Sequence, residues 1–420
     1  MEKQNLSEIN LDEHYRISQY CISVINRDIA IIYHKLYGNA LRVSLECWEI
    51  IQNNVNHTWT LQNICDACTD NDDKDYMIRL FKEMIKAKLL IKIEEKEIED
   101  KISQIDLAIT NCCNLECIHC CADAKKSKKE YILKEEFYRL IDAISRLHVS
   151  QITITGGEPM VCPGFLEMTE FLKNNFHGIR LLMTNATLIT PKNVGILVKC
   201  YDQFNISLDG YDEESCSKIR GDGVFNQVIS NIKLLIKNGV SPDRISLSMV
   251  ETKMNFGEIE KFITLNQQLG TNPMIREFEA IGRGEKNAKL LRPDAEKDIG
   301  YIDLSRPLMV RTCAAGERRF AINSFGDIIP CMLLDMSRFK MGNIYEIEDL
   351  YKFFNEREFK ETDGYKKLLR IKPETRQECS GCKFQMFCCF CLKEMVKNMD
   401  DGKIDTFCSM FQKRAKILWE

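Results

Sequence analysis

No stretch of this sequence reaches about 20 consecutive apolar residues, the length a helix needs to cross a bilayer, so no membrane partner is expected. Charge of one sign is also scarce in excess. The formal balance is only −4 over 420 residues, which leaves no broad basic field and argues against nucleic acid as a partner. The opening Met1-Glu2-Lys3-Gln4-Asn5 is polar, with no apolar signal segment after it. These absences predict a cytoplasmic protein, where disulfides are rare and clustered thiols tend to ligate metal. One residue is in excess: there are 20 cysteines. The length predicts two or three domains. Lysines stand beside Glu and Asp on the predicted helices and read as solvated surface.

The cysteines are not scattered evenly. Thr110-Asn111-Cys112-Cys113-Asn114-Leu115-Glu116-Cys117-Ile118-His119-Cys120 follows the apolar run 105–109, which reads as a strand. Cys113, Cys117 and Cys120 form a C-x3-C-x2-C pattern. Three thiolates on one short loop can hold three irons of a cubane cluster and leave the fourth iron open to a small molecule. A structural zinc loop is the alternative, but such loops usually show C-x2-C pairs closing to four ligands. The loop after the next predicted strand reads Thr155-Gly156-Gly157-Glu158-Pro159. Its glycines let backbone groups approach a ligand, and its carboxylate can accept from a bound ammonium.

The cysteine spacing and the Gly156-Gly157-Glu158-Pro159 turn together resemble the signature of the radical S-adenosylmethionine (radical SAM) enzymes. The resemblance implies a 4Fe–4S cluster on Cys113, Cys117 and Cys120. Its open iron would chelate the amine and carboxylate of S-adenosyl-L-methionine, and an electron would cleave that cofactor to a 5′-deoxyadenosyl radical. By the same resemblance, the 156–159 turn contacts the cofactor amine. Asn185, Ser207 and Asp209 would serve its ribose and carboxylate, and Arg220 and Arg283 a cofactor or substrate carboxylate. His119 takes the place of the aromatic that packs by the adenine. Cys112 and Cys121 are expected to be bystanders. No catalytic residue is identified beyond cluster and cofactor.

Alternating periodicity predicts strands near 105–110, 151–155, 179–184, 203–208, 245–250 and 274–278. Helices are expected near 133–147, 164–175, 191–199, 225–238 and 258–269. That alternation implies a parallel sheet with right-handed crossovers. Six strands match the family's partial (β/α)6 barrel, an α/β fold, over residues 101–300, with its chemistry at the carboxyl ends of the strands.

Residues 1–100 read differently. Two apolar runs flank Asn26-Arg27-Asp28 as a hairpin. Ser44 and Thr60 can cap two helices, and Asp72 or Asp73 can open a third with Tyr76, Met77, Leu80, Phe81, Met84 and Ile85 on one face. A strand at 89–93 completes a winged-helix order. Its recognition segment Asp70-Asn71-Asp72-Asp73-Lys74-Asp75 is acidic and would repel phosphate. The order resembles the leader-peptide recognition domain of enzymes that modify ribosomally made peptides. There the leader adds as a strand to the sheet edge beside the third helix. Cys65 and Cys68 are read as ordinary buried thiols.

Residues 301–420 carry a second group of thiols. Cys313, Cys331, Cys379, Cys382, Cys388, Cys391 and Cys408, with Met341-Gly342-Asn343-Ile344 between, resemble the SPASM extension and its two auxiliary 4Fe–4S clusters. The resemblance assigns Cys379, Cys382, Cys388 and Cys408 to one cluster and Cys313, Cys331 and Cys391 to the other. Two residues separate Cys391 from Cys388 where the pattern has three between them, and Cys389 is an extra thiol. Ala314-Ala315-Gly316-Glu317-Arg318-Arg319 lacks a cysteine found in some family members, and the resemblance then implies one auxiliary iron open to a substrate thiolate. The whole resemblance implies a maturase that installs a Cys sulfur-to-carbon thioether crosslink in a precursor peptide bearing a leader. Three clusters and a flavodoxin- or ferredoxin-type electron donor go with it. Carbon–carbon crosslinking, oxidation of a Cys or Ser side chain, and an iron–sulfur DNA-binding redox regulator stay open.

Overall fold

Short β-branched runs separated by turns build the first part of the chain. In the computed structural model, which describes residues 10–55, 59–97, 100–293, 308–310, 313–334, 337–388 and 391–420, it begins with β1 (Tyr15–Ile17). The antiparallel β2 (Cys21–Asn26), β3 (Ile29–His34) and β4 (Ala40–Ser44) follow as a three-stranded sheet. Ser44 then caps α1 (Leu45–Asn54), its hydroxyl accepting from the Cys47 N–H. Thr60 and Asn63 form a reciprocal capping box on α2 (Leu61–Asp66). The third helix, α3 (Asn71–Lys86), is capped by Asp70, two residues before the expected Asp72, because the Asp70 carboxylate reaches the Asp73 N–H at 2.8 Å. Met77, Leu80, Phe81 and Met84 face inward, whereas Tyr76 is exposed. β5 (Leu90–Lys92) pairs antiparallel with β1, which sequence patterning did not identify.

The chain divides into two units, each discontinuous in sequence. One joins 1–100 to 298–313 and 369–420; the other joins 101–297 to 314–368. In the first unit, one core packs Trp48, Ile51, Leu61 and Ile64 against α3. A second core sets Ile31 and Ala40 against Val310, Phe384, Phe387, Phe411, Leu418 and Trp419, with Cys382 and Cys388 packed on it. At its start, the outer edge of β4 is already used: the Ala40 N–H donates to the Leu308 carbonyl at 3.0 Å. Arg42, farther along that edge, is exposed. Cys65 is buried and Cys68 half-buried in the helical core, as ordinary thiols.

The second unit is a parallel sheet with helical crossovers. Its strands are β6 (Gln104–Ala108), β7 (Gln151–Thr155), β8 (Ile179–Thr184), β9 (Gln203–Ser207), β10 (Ile245–Glu251) and β11 (Asn272–Glu277). Between them run α4 (Lys134–Arg146), α5 (Phe165–Asn175), α6 (Val194–Cys200), α7 (Glu213–Arg220), α8 (Val224–Lys237) and α9 (Ile259–Leu269). The six strands lie side by side in chain order, all parallel. α7 is an addition to the expected set, started by an Asp212–Ser215 capping box. Three further strands, β12 (Arg319–Ile322), β13 (Asp327–Ile329) and β14 (Gly342–Asn343), extend the sheet to nine. β12 pairs parallel with β6, setting Phe320 opposite Ile105. Phe320 packs edge-on against Phe354 and Phe359, so residues 314–368 share the barrel's core. Among the described residues, no helix is long and apolar enough to cross a membrane.

Candidate active site

The cysteine loop leaves the carboxyl end of β6 and is tied to its neighbours by backbone bonds. The Thr110 hydroxyl accepts from the Cys112 N–H at 2.9 Å and donates to the Glu130 carbonyl at 3.0 Å. The Ile118 N–H donates to the Ile219 carbonyl at the end of α7. Cys113 and Cys117 are buried, and Cys120 is half-buried. Burial pushes the Cys113 thiol up to about 12 and raises that of Cys117 as well. Thiols so placed keep their protons until a cation replaces them, so metal loading must release protons.

Gly156 and Gly157 set the floor of this loop. Gly156 has φ of 145°, and the Gly157 N–H donates to the Thr110 carbonyl at 2.8 Å. A Cβ on Gly157 would stand 2.2 Å from the Cys112 carbonyl oxygen, so no side chain fits there. Pro159 is buried and opens a single tight turn. The Glu158 carboxylate is fully buried and accepts from the Thr184 hydroxyl at 2.7 Å, the Asn185 N–H at 2.7 Å and the Met160 N–H at 3.2 Å. It ties the end of β8 to the turn after β7. Burial raises its pKa, partly countered by these three donors.

Asn185, thus fixed, points its amide at the cysteine loop. Its Nδ2 donates to the Asn114 Oδ1 at 2.9 Å and to the Cys113 Sγ at 3.8 Å. Its Oδ1 accepts from the Thr187 hydroxyl, which in turn accepts from the Asn114 Nδ2. Arg220, the last residue of α7, reaches the Cys117 Sγ through NH1 at 3.8 Å. Its NH2 lies 2.5 Å from the Asp209 carboxylate, which also meets the His119 Nε2 at 2.9 Å. Asp209 has φ of 61° just beyond β9, and its other oxygen accepts from the Val250 N–H at 2.6 Å. Burial works to raise the Asp209 pKa, but Arg220 and then His119 outweigh it and hold the carboxyl below its ordinary value.

The structure therefore brings Asn185, Asp209, Arg220 and His119 to the loop and joins them to its thiols and to one another. Asp209 is bound to Arg220 and His119, and the His119 ring is turned to that carboxylate. Ser207 is half-buried at the end of β9. Arg283 is engaged by the protein itself. It clamps the outside of the loop, donating to the Cys117 carbonyl at 2.9 Å and the Ala124 carbonyl at 2.6 Å and pairing with Asp123 at 3.2 Å. Spacing could flag these residues, but not which atoms they meet. Cys112 is buried, its thiol donating to the Lys126 carbonyl at 3.8 Å.

The donor set fits a cluster and its ligand. Three thiols share one loop, two of them receive side-chain hydrogen bonds, and the buried His119 Nδ1 and Arg220 Nε have no hydrogen-bond partner. Among the described residues, no three His, Cys, Asp or Glu close around one point to hold a single metal ion.

The second thiol group lies in the first unit. Cys379 and Cys382 flank a tight turn, the Cys382 N–H donating to the Cys379 carbonyl at 3.1 Å. Cys408 sits on the helix Ile404–Ala415, whose Gln412 amide reaches the Cys382 Sγ at 4.0 Å. Burial, then the neighbouring thiols Cys408, Cys379 and Cys382, push Cys388 up to about 12. Cys313 is exposed, and Cys391 precedes the helix Leu392–Asp400. Cys331 belongs to the other unit, and Cys389 lies outside the described residues.

Comparisons with known proteins agree with this chemistry. Residues 107–265 match the radical SAM superfamily, and residues 313–383 match SPASM, an iron–sulfur cluster-binding domain. Mycofactocin maturase MftC of Mycobacterium tuberculosis is 27% identical over 260 residues, 56% of this chain and 66% of that protein. The subtilosin biosynthesis protein AlbA of Bacillus subtilis is 29% identical over 257 residues, 56% of each. The matched region thus spans just under two thirds of MftC and about half of AlbA. Streptococcus suis SuiB bound to S-adenosylmethionine shares the fold at a TM-score of 0.55 and 16% identity, covering 91% of this chain and 96% of SuiB. The radical SAM domain implies S-adenosylmethionine and a 4Fe–4S cluster, and the SPASM domain implies auxiliary clusters. The chain has the α/β fold of a radical SAM enzyme, with a SPASM iron–sulfur cluster-binding domain behind it.

Proposed function

We propose that this chain is a cytoplasmic maturase of a ribosomally made precursor peptide and that it installs a Cys sulfur-to-carbon thioether crosslink. MftC is named for maturation of mycofactocin, AlbA for biosynthesis of subtilosin, and SuiB has been seen bound to its precursor peptide SuiA. Those names support a peptide substrate. The feature that favours a thioether is the segment 314–319, which has no cysteine to add to those that the SPASM resemblance assigns to one auxiliary cluster. A set one thiolate short leaves room for a substrate thiolate.

In this reading, Cys113, Cys117 and Cys120 hold the radical-forming cluster, and Cys379, Cys382, Cys388 and Cys408 hold a complete auxiliary one. When bound, cluster and S-adenosylmethionine supply a radical able to remove a hydrogen atom from the peptide. The chain's own part is to position. The 156–159 turn and Ser207 lie at the carboxyl ends of the strands, where the cofactor would rest. The outer edge of β4 beyond Ala40 offers an exposed strand for the leader, whose local concentration the module would raise. A flavodoxin- or ferredoxin-type donor would deliver the electron.

The test is co-expression with a short Cys-rich peptide encoded beside this chain's gene. A thioether predicts loss of two hydrogen atoms per crosslink together with one thiol that iodoacetamide no longer alkylates. Loss of two hydrogens with every thiol still alkylated would overturn the thioether and leave a carbon–carbon product.

A further inference from the structure

Two of the three loop thiols meet side-chain donors, and neither donor is free to leave. Asn185 is fixed on both sides: its N–H by the Glu158 carboxylate at 2.7 Å, its side chain by Asn114 and Thr187. That ring aims Nδ2 at the Cys113 Sγ. Arg220 is fixed by Asp209 at 2.5 Å, and Asp209 by His119 at 2.9 Å and the Val250 N–H at 2.6 Å. That second ring aims NH1 at the Cys117 Sγ. His119 lies between Cys117 and Cys120 in sequence, so the ring closes on the loop it serves. Cys120 meets no side-chain donor among the described residues.

We propose that Asn185 and Arg220 are positioning residues that set the reduction potential of the cluster on Cys113, Cys117 and Cys120. The inference rests on the radical SAM reading of that loop. It assigns the two side chains a task other than contact with the cofactor. A hydrogen bond to a ligating sulfur stabilises the electron-richer state of a cluster more than the oxidised one, so it raises the potential. A buried guanidinium adds its positive charge, acting through surroundings of low polarity. Asp209 offsets part of that charge and keeps the fork in place. An arginine supplies both an ion-pair partner for the carboxylate and a donor for the sulfur, which a lysine ammonium cannot do in the same fixed geometry.

The experiment is an EPR-monitored redox titration of the full chain loaded with iron and sulfide. The cluster in question is the one whose signal changes when S-adenosylmethionine is added. Arg220→Gln and Asn185→Ala are each expected to move its midpoint to lower potential at unchanged iron content, and Arg220→Lys to fall between Gln and wild type. Asp209→Asn, which removes a negative charge, is expected to move it the other way. Iron-replete variants that all titrate at the wild-type midpoint would overturn the proposal. If Arg220→Gln loads no iron, Asn185→Ala and Arg220→Lys decide in its place. Failure of every variant to load also overturns the proposal, because the side chains would then be structural only. A wild-type chain with no signal responsive to S-adenosylmethionine is a different result, and it sinks the radical SAM reading itself.

Discussion

Gly157 lies so close under Cys112 that a Cβ would stand 2.2 Å from the Cys112 carbonyl oxygen, and the next N–H, that of Glu158, donates to the same oxygen at 2.9 Å. The turn after β7 and the cysteine loop after β6 are thus one packed object. Gly157→Ala is expected to push the loop away, at an overpacking cost of about 1–3 kcal/mol. Iron and sulfide per chain after reconstitution should fall, with the auxiliary share retained. Full loading of all clusters would contradict this.

Glu158 gives a pH test. Burial holds its folded pKa above the ordinary 4.5, so the fold binds this proton more tightly than the unfolded chain does. The stability linked to that proton is complete below the ordinary value and is lost as pH rises through the folded one. Melting temperatures of the iron-free chain should therefore carry a downward contribution across that window. Glu158→Gln should remove it, while losing about 1–3 kcal/mol because one acceptor oxygen becomes a donor against Thr184 or Asn185. Parallel pH profiles for the two chains would count against the assignment.

Cys382 and Cys388 pack on the same apolar cluster that covers one face of β3. Removing iron from the loaded chain is expected to speed amide hydrogen exchange in β3 (Ile29–His34), since metal binding there is also folding free energy. Exchange in β8 of the barrel should change less. Phe387→Ala should produce the same β3 signature with iron present, at a cavity cost of about 3–5 kcal/mol. Identical β3 exchange with and without iron would refute the coupling.

Much of the barrel was legible because its strands are short apolar runs between amphipathic helices. β7 and β8 match the expected bounds residue for residue. The strands that escaped notice are short or depend on distant partners. β1 is three residues long and is held by β5, some seventy positions on. β12 becomes a barrel strand only because β6 offers it an edge. The site was legible as a set of residues and not as a set of contacts. Nothing in the spacing of Asn185, Asp209 or Arg220 says that the first reaches Cys113 or that the third bridges Asp209 to Cys117, since these bonds join strand ends far apart in sequence.

The most direct test replaces Cys113, Cys117 and Cys120 together with alanine in the full chain. Both chains are reconstituted with iron and sulfide and given dithionite and S-adenosylmethionine without oxygen. The account predicts 5′-deoxyadenosine from the wild-type chain and none above background from the variant. Comparable 5′-deoxyadenosine from the variant would contradict it.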